Sequence, residues 1–177
     1  MRILVQGLVA APGGSLTVLR DLVAAWPDED ELRVVCWRTA AAEALAATGR
    51  PVVRVPARST AEALLRLRVR RPAAPAWRPD VVWSQAVSVT RDGGPPEAVQ
   101  YRDVGSFVRL HRRTPRRALK ERRERRDLLG ADLRVFNSGV VRAAAEARYP
   151  RIRALPTAVV HNGLDLTVFE GVATTPR

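Results

Sequence analysis

A chain of 177 residues with 46% hydrophobic residues fits one folded domain and excludes global disorder. A single cysteine, Cys36, excludes an internal disulfide or a cysteine cluster for zinc, and no run approaches the ~20 apolar residues that cross a bilayer. The net charge of +12 is concentrated: residues 109–126 hold ten Arg/Lys against Glu121 and Glu124, a local +8, which leaves +4 for the other 159 residues.

Short apolar runs alternate with helix-length segments along the chain. Residues 2–6 read as a buried first strand rather than a signal peptide, because Gln6 and Gly7 interrupt the apolar run and a glycine loop follows. Residues 15–26 read as a helix, with Ser15 as its expected N-cap, Leu16, Leu19, Leu22 and Val23 on one face, and Pro27 as its stop. A second strand follows over 32–37, holding Cys36 as a small buried hydrophobe. Thr39 is the expected cap of a helix reaching about residue 48, with Gly49 as its C-terminal signal. A third strand (52–55) precedes a helix from Ser59 or Thr60 to about residue 71. Pro72, Pro75 and Pro79 then make a stiff connector. Strands follow at 80–83, 97–101, 133–136 and 158–160, with helices at 116–129 and 139–148.

This alternation predicts an α/β fold: a Rossmann-like, doubly wound, mostly parallel sheet of seven strands with helices on both faces. In such a sheet ligands bind beyond the carboxyl ends of the strands. That rule alone selects Gly13, Gly14 and Ser15 after the first strand, Ser84 and Gln85 after the fourth, and Arg102 and Asp103 after the fifth. It also selects Ser138 after the sixth and His161 and Asn162 after the seventh. Gly13-Gly14 allows close backbone approach at a helix N-terminus that favours an anion. It matches neither GxGxxG nor a Walker A motif, and a plain turn is its alternative reading. The two histidines, His111 and His161, lie too far apart in sequence for metal-ligand spacing, so neither metal nor cofactor is expected.

Three elements together resemble a known family. They are Gly13-Gly14-Ser15 leading into an amphipathic helix, Asn137-Ser138 between a strand and a helix, and Val160-His161-Asn162-Gly163-Leu164-Asp165 followed by Phe169. The chain resembles the N-terminal domain of a GT-B glycosyltransferase, family 4-like, over essentially its whole length. The resemblance implies an acceptor-binding domain at 1–171, a tail or linker at 172–177, and a separate C-terminal domain that binds the nucleotide sugar. It implies that Gly13 and Gly14 sit at the interdomain cleft, where backbone N–H groups stabilise charge on the leaving phosphate. It also implies structural roles for Asn162, Gly163, Asp165 and Phe169, sugar transfer with retention, and no activity for the half alone. Two departures stand out. Arg102-Asp103 replaces a common His-Asp pair, and Ser84-Gln85 replaces a histidine after the fourth strand. Arg cannot act as a general base. It can clamp a phosphate or carboxylate of donor or acceptor, or simply pair with Asp103, the candidate catalytic carboxylate.

The basic segment offers an anionic surface of Arg112, Arg113, Arg116, Arg117, Lys120 and Arg123. Its plain reading is a solvated helix with pairs such as Glu121 with Arg125. The sharper reading is an anionic or lipid-linked acceptor, or peripheral contact with the inner membrane face of a cytoplasmic protein. Nucleic acid is not expected, because the segment has no aromatics for stacking bases. The function expected is therefore the acceptor side of a glycosyltransferase, paired with a partner domain or chain, or self-associated through the exposed cleft face. The alternative is a stand-alone α/β module that binds an anionic ligand or an acidic membrane.

Overall fold

The structure is a computed structural model and describes residues 1–8, 10, 12–70, 77–90, 94–103, 107 and 115–162. Its elements run β1 (Arg2–Gln6), α1 (Gly14–Ala24), β2 (Glu31–Cys36), α2 (Thr39–Ala46), β3 (Val52–Arg54), α3 (Thr60–Arg70) and β4 (Val81–Gln85). They continue with β5 (Glu97–Tyr101), α4 (Pro115–Gly130), β6 (Leu133–Phe136), α5 (Gly139–Arg148), a short 3-10 helix (Pro150–Ala154) and β7 (Thr157–Val159). The seven strands form one sheet in the order β3-β2-β1-β4-β5-β6-β7, and every neighbouring pair is parallel. This is the expected Rossmann-like sheet, all-parallel among the described residues.

Both faces are covered, and strand alternation explains how. On β1, Ile3 and Val5 point to one face and pack with Leu19 and Val23 of α1 and Ala41 and Leu45 of α2. Leu4 points to the other face and packs with Val35, Val82 and Leu64 and Leu67 of α3. A third cluster joins Val99, Tyr101 and Phe136 to Leu128 of α4 and to Val141 and Ala145 of α5. Each fully buried aliphatic side chain contributes about 1.5–3 kcal/mol, so burial on both faces holds β1 firmly in the sheet. Cys36 is buried in the first cluster, and desolvation pushes its thiol up to about 11.

Two expected caps are replaced. Gly13, not Ser15, is the N-cap of α1, and Ser15 lies inside the helix. Arg38 precedes α2 without a side-chain cap, while Thr39 is its first residue and accepts a hydrogen bond from Arg54 at 3.0 Å. In both cases the backbone turns one or two residues earlier than the hydroxyl. Gly49 follows α2 with φ 78°, as expected of a helix end.

Helix α4 is more tightly docked than a solvated helix. Glu124 and Asp127 are buried on its inner side, and Glu124 accepts a hydrogen bond from the Tyr149 hydroxyl at 3.2 Å. Glu121, expected to pair with Arg125 along the helix, reaches Arg148 of α5 at 2.9 Å. No described helix is long and apolar enough to cross a membrane.

Candidate functional site

At the strand-order reversal, between β1 and β4, the crevice is filled from within. The fully buried Gln6 accepts from the Leu8 N–H at 2.7 Å and donates to the Val87 carbonyl at 2.7 Å. It ties the loop after β1 to the loop after β4. The opening therefore lies one strand further along, at the carboxyl ends of β4 and β5, facing the N-terminus of α1. A pocket of about 180 Å³ is lined there by Ser15, Gln85, Ala86 and residues 100–103.

Each wall has a local cause. Gly13 has φ 112° and ψ −162°, a conformation essentially confined to glycine, and its carbonyl accepts from the Leu16 and Thr17 N–H groups at 3.0 and 3.1 Å. This turn sets where α1 begins and so where Ser15 stands. Gly7 is needed for another reason: a Cβ there would come within 2.6 Å of Leu19 Cδ2, so it lets α1 pack against the end of β1. Replacing Gly13 with alanine is expected to cost about 1–3 kcal/mol in urea unfolding, all of it from backbone strain because the added methyl meets open space. Gly14→Ala, in helical backbone with equal room, is expected to be neutral or slightly stabilising.

Ala86 forms the floor beside Gln85 with φ 58°, the one left-handed non-glycine among the described residues. Such backbone costs about 1–3 kcal/mol and persists only when its surroundings over-determine it. Here the Ala86 N–H donates to Gln100 O at 2.8 Å, the Val87 N–H to Gln85 O at 2.7 Å, and Gln6 holds the Val87 carbonyl.

The loop after β4 has a second anchor, absent from the sequence reading. The Glu97 carboxylate is 1% exposed and accepts from the hydroxyls of Ser84, Ser88 (2.6 Å) and Thr90 (2.5 Å). It also accepts from the N–H groups of Val89 (2.8 Å) and Thr90 (3.2 Å). Those donors fold residues 84–90 back over the start of β5. An acid opening a strand carries no motif; only the cluster of hydroxyls at Ser84, Ser88 and Thr90 hints at it.

At the end of the neighbouring strand β5, Arg102 is held by neutral acceptors. Its Nε and Nη2 donate to Gln100 Oε1 at 3.2 and 2.9 Å, and its Nη1 donates to Ser15 O at 3.3 Å. Burial lowers its pKa from the ordinary guanidinium value. No carboxylate among the described residues pairs with it, Asp103 included, so the proposed Arg–Asp pair does not form. Two further buried polar groups at this end of the sheet have no hydrogen-bond partner among the described residues: Gln85 Nε2 and Asn137 Oδ1. The Tyr101 hydroxyl also lacks one, but its ring turns into the cluster with Phe107 and Phe136. Desolvation, reinforced by the charges of Asp127, Glu124 and Glu97, raises its pKa well above that of an ordinary phenol.

Of the residues selected from the sequence, the structure brings together Ser15, Gln85, Arg102 and Asp103, with Gly13 and Gly14 immediately before Ser15. Ser84 is buried under the sheet end with its hydroxyl on Glu97, and does not line the pocket. Ser138 caps α5 by accepting from the Val141 N–H at 3.2 Å. His161 and Asn162 are exposed beyond β7, on the same edge of the sheet as Gly13. β7 is four strands from β1, which at about 4.8 Å per strand puts them roughly 19 Å across the sheet from the first loop. Gly163, Asp165 and Phe169 lie outside the described residues.

Of the expected anionic surface, Arg112 and Arg113 lie outside the described residues, and Arg116, Arg117 and Lys120 lie on α4. Arg123 is not a free surface charge: it is half-buried and turned toward the buried carboxylate of Asp127 at 3.7 Å. The exposed cations described on this helix are Arg122, Arg125 and Arg126.

No family model matches the chain, and no curated protein matches it significantly. Its fold does match solved structures, among them three of Anabaena Alr3699/HepE. The structure in complex with UDP-glucose aligns with a TM-score of 0.65 at 17% identity, over 96% of this chain and 46% of that one. The structures in complex with UDP and glucose, and with UDP, align with TM-scores of 0.64 and 0.61, each at 18% identity and with the same coverage. The chain thus spans about half the length of the protein it matches. At this identity the likeness is one of fold alone: a Rossmann-like, parallel α/β domain.

Proposed function

We propose that this domain is the acceptor-side, N-terminal half of a family 4-like glycosyltransferase, which moves a sugar from a nucleotide-sugar donor to an acceptor. The single observation that carries the reading is the pocket at the carboxyl ends of β4 and β5, opening beside the α1 N-terminus in a sheet of this fold. The fold likeness to half of a chain whose structures contain UDP-glucose supports it. In this reading the domain extends over residues 1–171, and a second domain supplies the nucleotide site. Asp103, at the pocket mouth, is the candidate group for contact with the acceptor hydroxyl. Arg102 and Gln85 orient the acceptor.

Transfer from UDP-glucose is the test. No turnover is expected with the 177-residue chain alone, and turnover is expected once a donor-binding domain is supplied in the same chain or in trans. Transfer by the chain alone would overturn the division of labour. Asp103→Asn should lower kcat more than KM in the assembled enzyme.

A further inference from the structure

We propose that the acceptor carries an anionic group, a carboxylate or a phosphate, and that Arg102 and Gln85 seat that group in the pocket. The proposal rests on the acceptor-side reading above and names the chemistry of the acceptor. The first ground is that Arg102 is over-provided with charge. Its guanidinium is positioned by Gln100 Oε1 and the Ser15 carbonyl, both neutral, and no carboxylate among the described residues neutralises it. A guanidinium held half out of water without a counter-ion attracts an anion more strongly than the same group in bulk solvent.

The second ground is independent of the first. Gln85 is 3% exposed, lines the same pocket, and has an Nε2 without a partner. Buried donors are rarely left unmade, and an unmade one on a pocket-lining side chain is available to a ligand acceptor once the amide turns toward it. The strained Ala86 turn, pinned by Gln6 and Gln100, fixes the backbone that carries Gln85. Two donors lining one pocket suit an oxyanion with more than one acceptor oxygen. Asp103, exposed at the mouth, faces the neutral hydroxyls of the same ligand. At about 180 Å³ the pocket is smaller than the roughly 300–1,000 Å³ of sites that enclose a drug-sized ligand, so it has room for one charged group and the sugar-sized fragment that carries it.

The 177-residue chain, labelled with 15N, is titrated at low salt with inorganic phosphate, glucuronate, glucose and UDP-glucose, following the amides of Ser15, Ala86 and Arg102. Phosphate, glucuronate or both should saturate these shifts at least tenfold more tightly than glucose. Phosphate alone assigns a phosphorylated acceptor, and glucuronate alone a carboxylate. Arg102→Gln should weaken the anion at least tenfold and Gln85→Leu severalfold, with the remaining spectrum unchanged. Should Arg102→Gln fail to fold, Arg102→Lys keeps the charge and loses the fork, and should still weaken binding severalfold. Binding of neither anion, or anion binding unaltered in these variants, overturns the proposal. Glucose binding as tightly as glucuronate overturns it while leaving the acceptor-side reading standing. UDP-glucose binding to the isolated chain through Arg102 overturns that reading as well.

Discussion

Replacing Glu97 with alanine is expected to destabilise the domain by about 4 kcal/mol, measured as the shift of its urea unfolding transition. A hydrogen bond to a charged group contributes about 1.5–3 kcal/mol, and a buried donor left without a partner costs about 1–3 kcal/mol. The Glu97 carboxylate serves the hydroxyls of Ser84, Ser88 and Thr90 and the N–H groups of Val89 and Thr90. Water entering the cavity recovers part of this, so the expectation stays below the simple sum. It is still a large share of the roughly 5–15 kcal/mol that holds a domain together. Glu97→Gln should cost about half as much. The hydroxyls can rotate to accept from the new amide, whereas the two N–H groups cannot. The loss should also reach the pocket, because Gln85 and Ala86 belong to the segment that Glu97 folds back. A cost below about 1 kcal/mol for the alanine variant would show that this loop is held by something else.

The second large effect is expected at Arg134. This residue is 1% exposed in the middle of β6, and its guanidinium donates to the carbonyls of Leu128, Leu129 (3.1 Å) and Pro156 (3.3 Å). Leu128 and Leu129 end α4, where helix carbonyls have no internal partners and where positive charge complements the helix dipole. Pro156 leads into β7. One side chain thus closes a helix and fastens the edge strand. Burial lowers its pKa from the ordinary value, but a guanidinium stays charged across the accessible pH range. Arg134→Met keeps most of the volume and removes every donor. It should cost about 3 kcal/mol and speed amide exchange at Ala131 and Val160 before the rest of the sheet. Arg134→Lys should recover only part, since an ammonium cannot span carbonyls on both sides of the strand. Arg151→Ala, an exposed arginine nearby, should change stability by no more than about 0.5 kcal/mol.

Both residues escaped the sequence reading for the same reason. Glu97 and Arg134 sit in strands whose neighbours are apolar, and nothing within a few positions marks them as buried. Their partners are 7 to 13 residues away for Glu97 and up to 22 for Arg134. Periodicity reports which face a residue takes, not whether that face meets carbonyls or hydroxyls. The caps show the same limit on a smaller scale. Ser15 and Thr39 have the right chemistry to cap α1 and α2, yet the φ of Gly13 and the path after β2 start those helices first. Ser138, by contrast, lies between a strand and a helix with no competing glycine before it, and its hydroxyl does cap α5. The basic segment misled through its charge. Its many arginines suggested a wetted helix, while the buried Glu124 and Asp127 are what dock α4.

Alternation of apolar runs with helix-length segments was enough to give seven strands and their parallel direction, because both periodicities and the crossover geometry are local properties of the chain. Folding in three dimensions settled which strand tips adjoin. Gln6 closes the crevice between β1 and β4, Ser84 turns inward to Glu97, and β7 carries His161 and Asn162 to the far side of the sheet. Among the described residues a small pocket stays open at the ends of β4 and β5, lined by both Gln85 and Arg102. Their places at strand ends are legible in the sequence, but the unpaired Nε2 of Gln85 and the charge of Arg102, met only by neutral acceptors, are products of what the packing placed against them.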